Sequence, residues 1–314
     1  MRFDPDLLIP AHYALRSGMR SSFYRSVEAG RFVRLAHAVY LPTNEWKTLG
    51  TDARHLARIH AYARAVPGTV FGYRSAAALW GLPEVAGWPR RVDVIRDVHG
   101  TSTGKYAETH AVGPVPDVVE LDGIRTTSLT RTLVDIASSV PMSSAVAMID
   151  FALSSRSRSE TGRPEYPVEL DALLDEWARR GLRRGRTAAL AAIEFGDGRS
   201  GSPGESVSRT GIHVMGAPPP ILQHEFIDHL GSMWSDYWWP EFRVFGEFDG
   251  LGKYLKPEFL RPGETAAAAV IREKKREDRI RALEPFPVCA RWDWATAWSL
   301  AALERTLRQA GLRW

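Results

Sequence analysis

The sequence has almost no cysteine, no long apolar run and no apolar leader. Its single cysteine, Cys289, excludes an intramolecular disulfide framework. No apolar stretch approaches the roughly 18 residues that a membrane-spanning helix needs. The first residues, Met-Arg-Phe-Asp-Pro-Asp, carry acids where a signal peptide has apolar side chains. We therefore expect a cytoplasmic protein with no membrane partner.

The composition is that of a folded protein with a mild excess of positive charge. A chain of 314 residues with 44% hydrophobic residues has room for two or three domains with real cores. The formal net charge is +4, and arginine supplies most of the cations. Arginine suits phosphate contacts better than lysine does, so the positions of the arginines matter more than their number.

The N-terminal segment has the order of elements of a winged helix. A first helix is expected to end near Gly18, and Ser21 or Ser22 is expected to cap a second helix, Phe23–Ala29. An alternating stretch over 32–41 then predicts a β-ribbon. In a winged helix the second helix enters the major groove and the ribbon touches the backbone. The cations available for DNA are Arg20, Arg25, Arg31 and Arg34. A small helical cap with a hairpin and ordinary surface arginines is the alternative.

The middle of the chain predicts a mixed α+β section followed by a linker. Strands are expected at Arg91–Arg96 and Ala107–Val112, and helices at Leu129–Ser139 and Ser143–Ser154. Residues 155–166 are polar and lack apolar periodicity, so we place the main linker there. Two amphipathic helices, Val168–Arg179 and Arg186–Glu194, are expected next, separated by a basic turn over 179–186. That turn suits either a solvated loop or a contact with a duplex backbone.

The last third of the chain contains acidic residues that could lie close together in the fold. Ser202 is a fair N-cap for a helix that holds Glu205 in its first turn. Three strands are then expected, at Ile221–Ile227, Met233–Trp239 and Arg243–Asp249. Because side chains alternate along a strand, Glu247 and Asp249 share one face of the third strand.

The turn between the last two strands decides whether a third acid joins them. If the hairpin turns through two or four residues centred on Pro240-Glu241, Asp236 stands opposite Phe245 and shares the face of Glu247, whereas a three-residue loop reverses this. With Glu205, these acids would form an oxygen-rich cluster suited to Mg²⁺ or Mn²⁺, completed by phosphate and water. Lys253, four residues beyond Asp249, would add positive charge. The alternative is a set of surface acids paired with nearby arginines.

Eight consecutive charged residues, Arg272–Arg279, predict an exposed helix with a Glu273–Arg276 pair. On another reading, Arg272, Arg276 and Arg279 form a stripe against nucleic acid, with Lys274 turned towards the metal. Both readings can hold on different faces of the helix. The tryptophans near the end of the chain are expected to pack the last helix onto the sheet rather than to stack on bases; they are Trp292, Trp294 and Trp298.

The N-terminal part resembles AbiEi-type antitoxins, which are DNA-binding autorepressors of a bacterial toxin–antitoxin class. The resemblance rests on 29–34, Ala-Gly-Arg-Phe-Val-Arg, and on 38–40, Ala-Val-Tyr. It continues through 73–82, Tyr-Arg-Ser-Ala-Ala-Ala-Leu-Trp-Gly-Leu, and 126–135, Thr-Thr-Ser-Leu-Thr-Arg-Thr-Leu-Val-Asp. It implies a winged helix, DNA binding and transcriptional regulation, and we expect the last two motifs to be structural.

The C-terminal part resembles the PD-(D/E)XK-fold, very-short-patch-repair-like endonuclease domain. The motifs are 202–209, 220–223, 236–241, 246–250, 253–254, 273–278 and 291–292. The resemblance implies Glu205, Asp236 and Glu247 as metal ligands with a catalytic role. It places Asp249 where the wider superfamily carries its lysine, and it implies Lys253 or Lys274 as the displaced catalytic cation.

Together these observations predict an α+β N-terminal part and an α/β restriction-endonuclease-like domain with a central mixed sheet. The expected divisions are a winged helix over 1–50, a middle domain over 51–154, the linker over 155–166 and the nuclease-like domain over 167–314. The first hypothesis is a DNA-binding, Mg²⁺-dependent endodeoxyribonuclease. The second is an antitoxin-like autorepressor with a vestigial nuclease fold. In a third, the C-terminal domain is an interaction module for a cognate toxin.

Overall fold

The computed structural model describes residues 3–12, 20–97, 100–111, 117–182, 184–249 and 265–314. Its helices are α1 Arg20–Glu28, α2 Thr43–Thr48, α3 Thr51–Ala65, α4 Tyr73–Trp80, α5 Leu129–Ala137, α6 Met142–Leu153, α7 Ser157–Thr161, α8 Leu170–Arg180, α9 Arg186–Glu194, α10 Pro203–Val214, α11 Ala266–Arg281, α12 Trp294–Ala297 and α13 Leu300–Ala310. Its strands are β1 Ile9–Pro10, β2 Phe32–Ala36, β3 Val39–Pro42, β4 Val70–Phe71, β5 Val92–Arg96, β6 Ser102–Thr103, β7 Ala107–Ala111, β8 Val118–Leu121, β9 Ile124–Thr127, β10 Ile221–Asp228, β11 Gly231–Trp239, β12 Val244–Phe248 and β13 Val288–Trp292. The protein is therefore mixed α/β with several sheets.

The chain folds into two units, each built from two separate segments. The first comprises Met1–Val140 and Arg156–Glu194, and the second comprises Pro141–Ser155 and Phe195–Trp314. This division differs from the expected one because the stretch at 155–166 is not a bare linker. It contains α7 and ends near Tyr166, a fully buried residue whose hydroxyl donates to the Trp80 carbonyl at 3.1 Å.

The first unit contains two sheets. One has three strands in the order β1-β3-β2, and the other is a mixed sheet of six strands in the order β6-β7-β5-β4-β9-β8. The predicted ribbon over 32–41 is the β2–β3 hairpin. The predicted cap at Ser21 or Ser22 is wrong, because α1 begins at Arg20 and holds both serines within its first turn. The first predicted helix is not observed over 5–10, where a 3-10 turn at Pro5–Leu7 is followed by strand β1, and residues 13–19 lie outside the described residues.

The two motifs at 73–82 and 126–135 pack against each other, as structural signatures should. α4 ends at Gly81, which takes the left-handed conformation that a helix C-terminus favours. α5 begins after Ser128, whose side chain accepts a hydrogen bond from the Arg131 amide. The buried Trp80 indole donates to the Thr127 carbonyl at 2.9 Å and so ties the first motif to the second.

The second unit is built on a four-stranded sheet in the order β10-β11-β12-β13. The first three strands run antiparallel and were predicted to within two residues at each end. β13 joins β12 in parallel, which makes the sheet mixed. This pairing follows from the crossover through α11, since parallel neighbours need a long connection.

Helices cover both faces of this sheet. On one face, Ile280 of α11 packs in a cluster with Phe226, Trp238 and Phe245. On the other, Gly204 of α10 lies so close to the Phe248 ring that an added Cβ would stand 2.1 Å from it. Apolar side chains are therefore buried on both faces of the sheet, as in other proteins with helices on both sides of a sheet.

The predicted role of the terminal tryptophans is only partly correct. Trp292 is buried, stacks on Tyr237 and donates to the Ser208 hydroxyl at 2.8 Å. Trp294 meets the Phe248 ring edge to face. Trp298 is instead 46% exposed, because it lies in the turn between α12 and α13 rather than on a packed face.

Candidate functional site

Two acids stand side by side on neighbouring strands of the second unit. β11 and β12 pair Tyr237 with Gly246 and Trp238 with Phe245, and the next step of this register places Asp236 opposite Glu247. The predicted shared face is confirmed, although the residue opposite Asp236 is Glu247 and not Phe245. The register differs by two because a short 3-10 helix lengthens the connection, which closes at Arg243 in the left-handed conformation.

Glu205 is held by three donors at the start of α10. Its carboxylate accepts from the Gly201 amide at 2.6 Å, the Ser202 hydroxyl at 2.9 Å and the Gln223 side-chain amide at 2.9 Å. A Cβ on Gly201 would stand 2.9 Å from both carboxylate oxygens, so a larger residue there would displace the Glu205 carboxylate. The predicted helix start at Ser202 is confirmed. Glu205 is therefore an oriented, buried carboxylate.

Gln223 connects Glu205 with the acid pair. Its side-chain nitrogen lies 2.9 Å from Glu205 Oε2 and 3.5 Å from Asp236 Oδ1. The backbone of Gln223 has a φ of +48°, and the β10–β11 ladder skips this residue between Leu222 and His224. Sequence reasoning did not assign Gln223 a role, because no glycine or asparagine marks the left-handed position. The only feature of the sequence that pointed to Gln223 was its place in the motif 220–223, which resembles the endonuclease domain.

Glu247 lies in a setting that disfavours its charge. Glu247 is buried, and its pKa is raised to about 8, first by burial and then by the negative charge of Asp236. Arg276 opposes this shift from 3.0 Å away. Among the described residues, Glu247 Oε1 and Asp249 Oδ1 are buried and accept no hydrogen bond. These two oxygens are therefore available to a further ligand.

Asp236 is anchored more firmly than its partner. Its Oδ2 accepts a hydrogen bond from the Phe248 amide at 2.8 Å, across the β11–β12 pair. This bond fixes the carboxylate beside Glu247, since the Phe248 amide belongs to the rigid backbone of β12. The pair is thus placed by the sheet itself rather than by a flexible loop.

Three arginines line the same cleft, which has a volume of about 250 Å³. Arg276 contacts Glu247, Glu273 and the Trp234 carbonyl. Arg291 lies 3.5 Å from Asp249 and 2.6 Å from Glu277. Arg272 is the third. The cations next to the acids in the described residues are therefore guanidinium groups.

Of the two lysines predicted beside the acids, Lys274 is not found in this position. Lys274 is exposed, whereas the residues of α11 that line the cleft are Ala269, Arg272, Glu273 and Arg276. These positions follow a helical spacing of three and four, which excludes Lys274 from that face. Lys253 lies outside the described residues.

The charged run at 272–279 forms part of α11, and the predicted Glu273–Arg276 pair is confirmed. Two arginines of the predicted stripe pair with different acids, and contact of the stripe with nucleic acid stays a prediction. Arg276 turns to Glu247, and Arg279 pairs with Asp228. Oppositely charged neighbours in the folded chain outcompete solvent for these side chains.

The acid pair fits a hard divalent cation. Mg²⁺ is commonly held by one or two carboxylates, with waters and substrate phosphate completing its shell. Asp236 and Glu247 supply two such carboxylates, and Glu247 Oε1 has no other partner. In the part of the chain that the structure describes, no group of three or more His, Cys, Asp or Glu side chains could hold a metal ion. The set that fits is thus smaller than the predicted Glu205, Asp236 and Glu247.

In the first unit, the arginines predicted to contact DNA are exposed where they are described. Arg25, Arg31 and Arg34 are all exposed, and Arg34 also lies 5.9 Å from the centre of the Tyr40 ring. Arg20 begins α1, but its side chain lies outside the described part of the structure. Arg183, in the predicted basic turn at 179–186, also lies outside the described part of the structure.

In comparisons with known proteins, no family model matches the chain, and no curated protein sequence matches it significantly. Among the described helices, none combines the length and the apolar character needed to cross a membrane. Functional inference therefore depends on the site itself.

Proposed function

We propose that the second unit binds Mg²⁺ or Mn²⁺ and hydrolyses phosphodiester bonds of DNA in the cytoplasm. In this proposal it is an endonuclease-like domain of restriction-endonuclease type, and the N-terminal region is a winged helix that supplies DNA affinity. The observation that carries the proposal is the Asp236–Glu247 pair, which has a buried unpaired oxygen and faces three arginines in one cleft.

The residues of the cleft divide the work between them. Asp236 and Glu247 would hold the ion, and Asp249 Oδ1 would accept a hydrogen bond from a water beside it. When bound, the metal would stabilise charge on the phosphate and lower the pKa of a water molecule. The side-chain amide of Gln223 lies between Glu205 and Asp236. Glu205 would hold this amide in place, and the amide would keep Asp236 oriented.

Arg276 and Arg291 would neutralise the phosphate, in the place of the lysine that the wider superfamily uses. A guanidinium group can donate two parallel hydrogen bonds to phosphate, which fixes its orientation. Both arginines already lie beside the acids, at 3.0 Å from Glu247 and 3.5 Å from Asp249.

A DNA-binding autorepressor of the antitoxin class is the second candidate. It is favoured by the ion pair between Arg276 and Glu247, which partly neutralises the buried acid without any metal. On this reading the nuclease-like fold is a scaffold, and a cognate toxin could bind it.

The first experiment is calorimetric titration of Mn²⁺ and Mg²⁺ into the wild type and Glu247→Gln. We expect the substitution to weaken binding at least about tenfold, as loss of groups around a metal commonly does. Glu241→Gln is the matched control, because Glu241 is an exposed acid in the adjoining turn and should leave binding unchanged. Equal affinities in all three proteins would contradict the metal site.

The second experiment incubates the same three proteins, together with Asp236→Asn, with supercoiled plasmid and Mg²⁺. Nicking by the wild type and Glu241→Gln, but not by Glu247→Gln or Asp236→Asn, is the result expected of a nuclease. Salt-sensitive binding to DNA without scission by any of the proteins would instead support the repressor.

A further inference from the structure

A cluster of arginines in the first unit lies apart from the arginines of the N-terminal ribbon. Arg54 and Arg58 lie one turn apart on α3, and both guanidinium groups approach the Trp46 ring of α2, at 5.3 Å and 5.0 Å from its centre. Arg90 is exposed on the segment that precedes β5. We call Arg54, Arg58 and Arg90 the α3 patch.

The α3 patch is held in position before any ligand arrives. Arg54 donates to the carbonyls of Trp46 and Lys47, at 3.2 Å and 3.4 Å. The cation–π contacts with Trp46 restrict both arginines of α3 further. Pre-positioned side chains lose less conformational entropy when they bind.

The segment that carries Arg90 is anchored to the same helix. Trp88 stacks on His55 of α3, with ring centres 5.0 Å apart and planes at 5°. Its indole nitrogen donates to Asp52 at 2.7 Å. Asp52 is therefore engaged with a neutral donor, and the Trp88 anchor keeps Arg90 near α3.

The positive charge of the patch is not balanced by ion pairs. None of the ion pairs formed within the described ranges involves Arg54, Arg58 or Arg90. The pKa of Arg58 is lowered, first by burial and then by the positive charges of Arg90 and Arg54. Like charges held together in this way repel one another, and a bound anion would relieve the repulsion.

We propose that the α3 patch binds the phosphodiester backbone of a nucleic acid. Fixed guanidinium groups without acidic partners are the groups that contact phosphate in such complexes. An anionic membrane is the less suitable partner, because no exposed large apolar side chain lies in α2, α3 or 88–90. The proposal extends the DNA binding proposed above to a second surface, and it does not require that the second unit cuts.

The test is the binding of a fluorescein-labelled DNA duplex, followed by anisotropy over a range of salt concentrations in EDTA. We expect Arg58→Gln and Arg90→Gln each to weaken binding several-fold and to reduce the slope of log affinity against log salt by about 0.9 for each phosphate that the variant no longer neutralises. Arg125→Gln is the matched control. It removes one exposed positive charge from β9 of the same unit and should change neither quantity appreciably.

Folding is monitored through the thermal midpoint. Arg58→Gln removes both charge repulsion and one cation–π contact, which oppose each other, so its midpoint should stay close to that of the wild type. Trp46→Leu is the second variant, since it removes both cation–π contacts and should weaken duplex binding without any change of charge. Weaker binding in folded patch variants, with the control unchanged, is the expected result.

Equal affinity and equal salt slope in all variants would overturn the proposal. It would also be overturned if the patch variants lost binding to vesicles of anionic lipid but kept the affinity of the wild type for duplex and for RNA. Because EDTA removes the metal, these measurements stand whether or not the protein nicks plasmid. Failure of the nuclease proposal and failure of the proposal for the α3 patch can therefore be distinguished.

Discussion

Glu247 is a carboxylic acid in a position that disfavours its charge. Its folded-state pKa of about 8 exceeds the ordinary 4.5, so folding favours the protonated form. Stability contributed by this group is fully present below about 4.5 and is lost as pH rises through about 8. A metal that binds the carboxylate must displace this proton.

The affinity for Mn²⁺ should therefore rise with pH. Below about 8, we expect up to about a tenfold gain for each pH unit, followed by a plateau, when calorimetric titrations are repeated across the range. Glu247→Gln has no proton to displace and should show weak binding that hardly changes with pH. A pH-independent affinity in the wild type would contradict a role for Glu247 as ligand.

Gln223 allows backbone strain and side-chain function to be separated. Gln223→Ala and Gln223→Gly both remove the amide between Glu205 and Asp236, so both should weaken metal binding equally. Glycine accepts the φ of +48° without strain, and we expect Gln223→Gly to be about 1 kcal/mol more stable than Gln223→Ala. Urea denaturation measures the difference, and equal stabilities would mean that the backbone relaxes without cost.

At the scale of elements, the start of α10 connects sequence to site most directly. The sequence predicts where this helix begins. Ser202 is its cap, and Pro203 and Glu205 lie in its first turn. Gly204 is required by its close approach to the Phe248 ring. Because Gly204 has no side chain, α10 and its Glu205 can lie close to the sheet.

Gly204→Ala should lower the free energy of unfolding by about 1–3 kcal/mol, because the new methyl group overlaps the ring of Phe248. Gly211→Ala in the same helix is the control. Its Cβ would meet the flexible ends of Leu303 and Leu300, at 3.2 Å and 3.5 Å, and alanine favours a helix, so we expect little change. Chemical denaturation of the two variants provides the comparison, and equal losses would count against the proposed close packing.

α11 shows the limit of local patterns at this scale. Its run of charges predicted an exposed helix and the Glu273–Arg276 pair, both of which depend on residues within one turn. The turning of Arg276 towards Glu247 depends on how α11 lies across the sheet. Helical periodicity alone does not indicate whether Lys274 or Arg276 faces the acids.

At the scale of the whole molecule, the second unit requires a helix from far away in the chain. Asp150 of α6 forms two hydrogen bonds of 2.8 Å with Arg209 of α10, and both side chains are buried. Sequence reasoning assigned α6 to the middle domain because it directly follows α5 in the chain. Burial of this pair, together with the packing of α6 on α10, instead places α6 in the second unit.

Asp150→Ala should destabilise the second unit by about 3–5 kcal/mol, because it leaves the Arg209 charge buried without its partner. Glu304→Ala is the control, since Glu304 forms an exposed pair with Arg308 and its loss should cost less than about 1 kcal/mol. The measurement is the free energy of unfolding from denaturant titration. A small effect of Asp150→Ala would mean that α6 can be released without cost.

The sequence by itself determined the type of most elements and which side chains within one element share a face, such as Glu247 and Asp249. These properties follow from alternation in strands, from three-to-four spacing in helices and from caps such as Ser202, all of which act between near neighbours. Only the tertiary structure decided that Gln223 reaches Glu205 across 18 residues and that Arg209 reaches Asp150 across 59. Such contacts depend on how packed elements meet, and local periodicity carries no information about that arrangement.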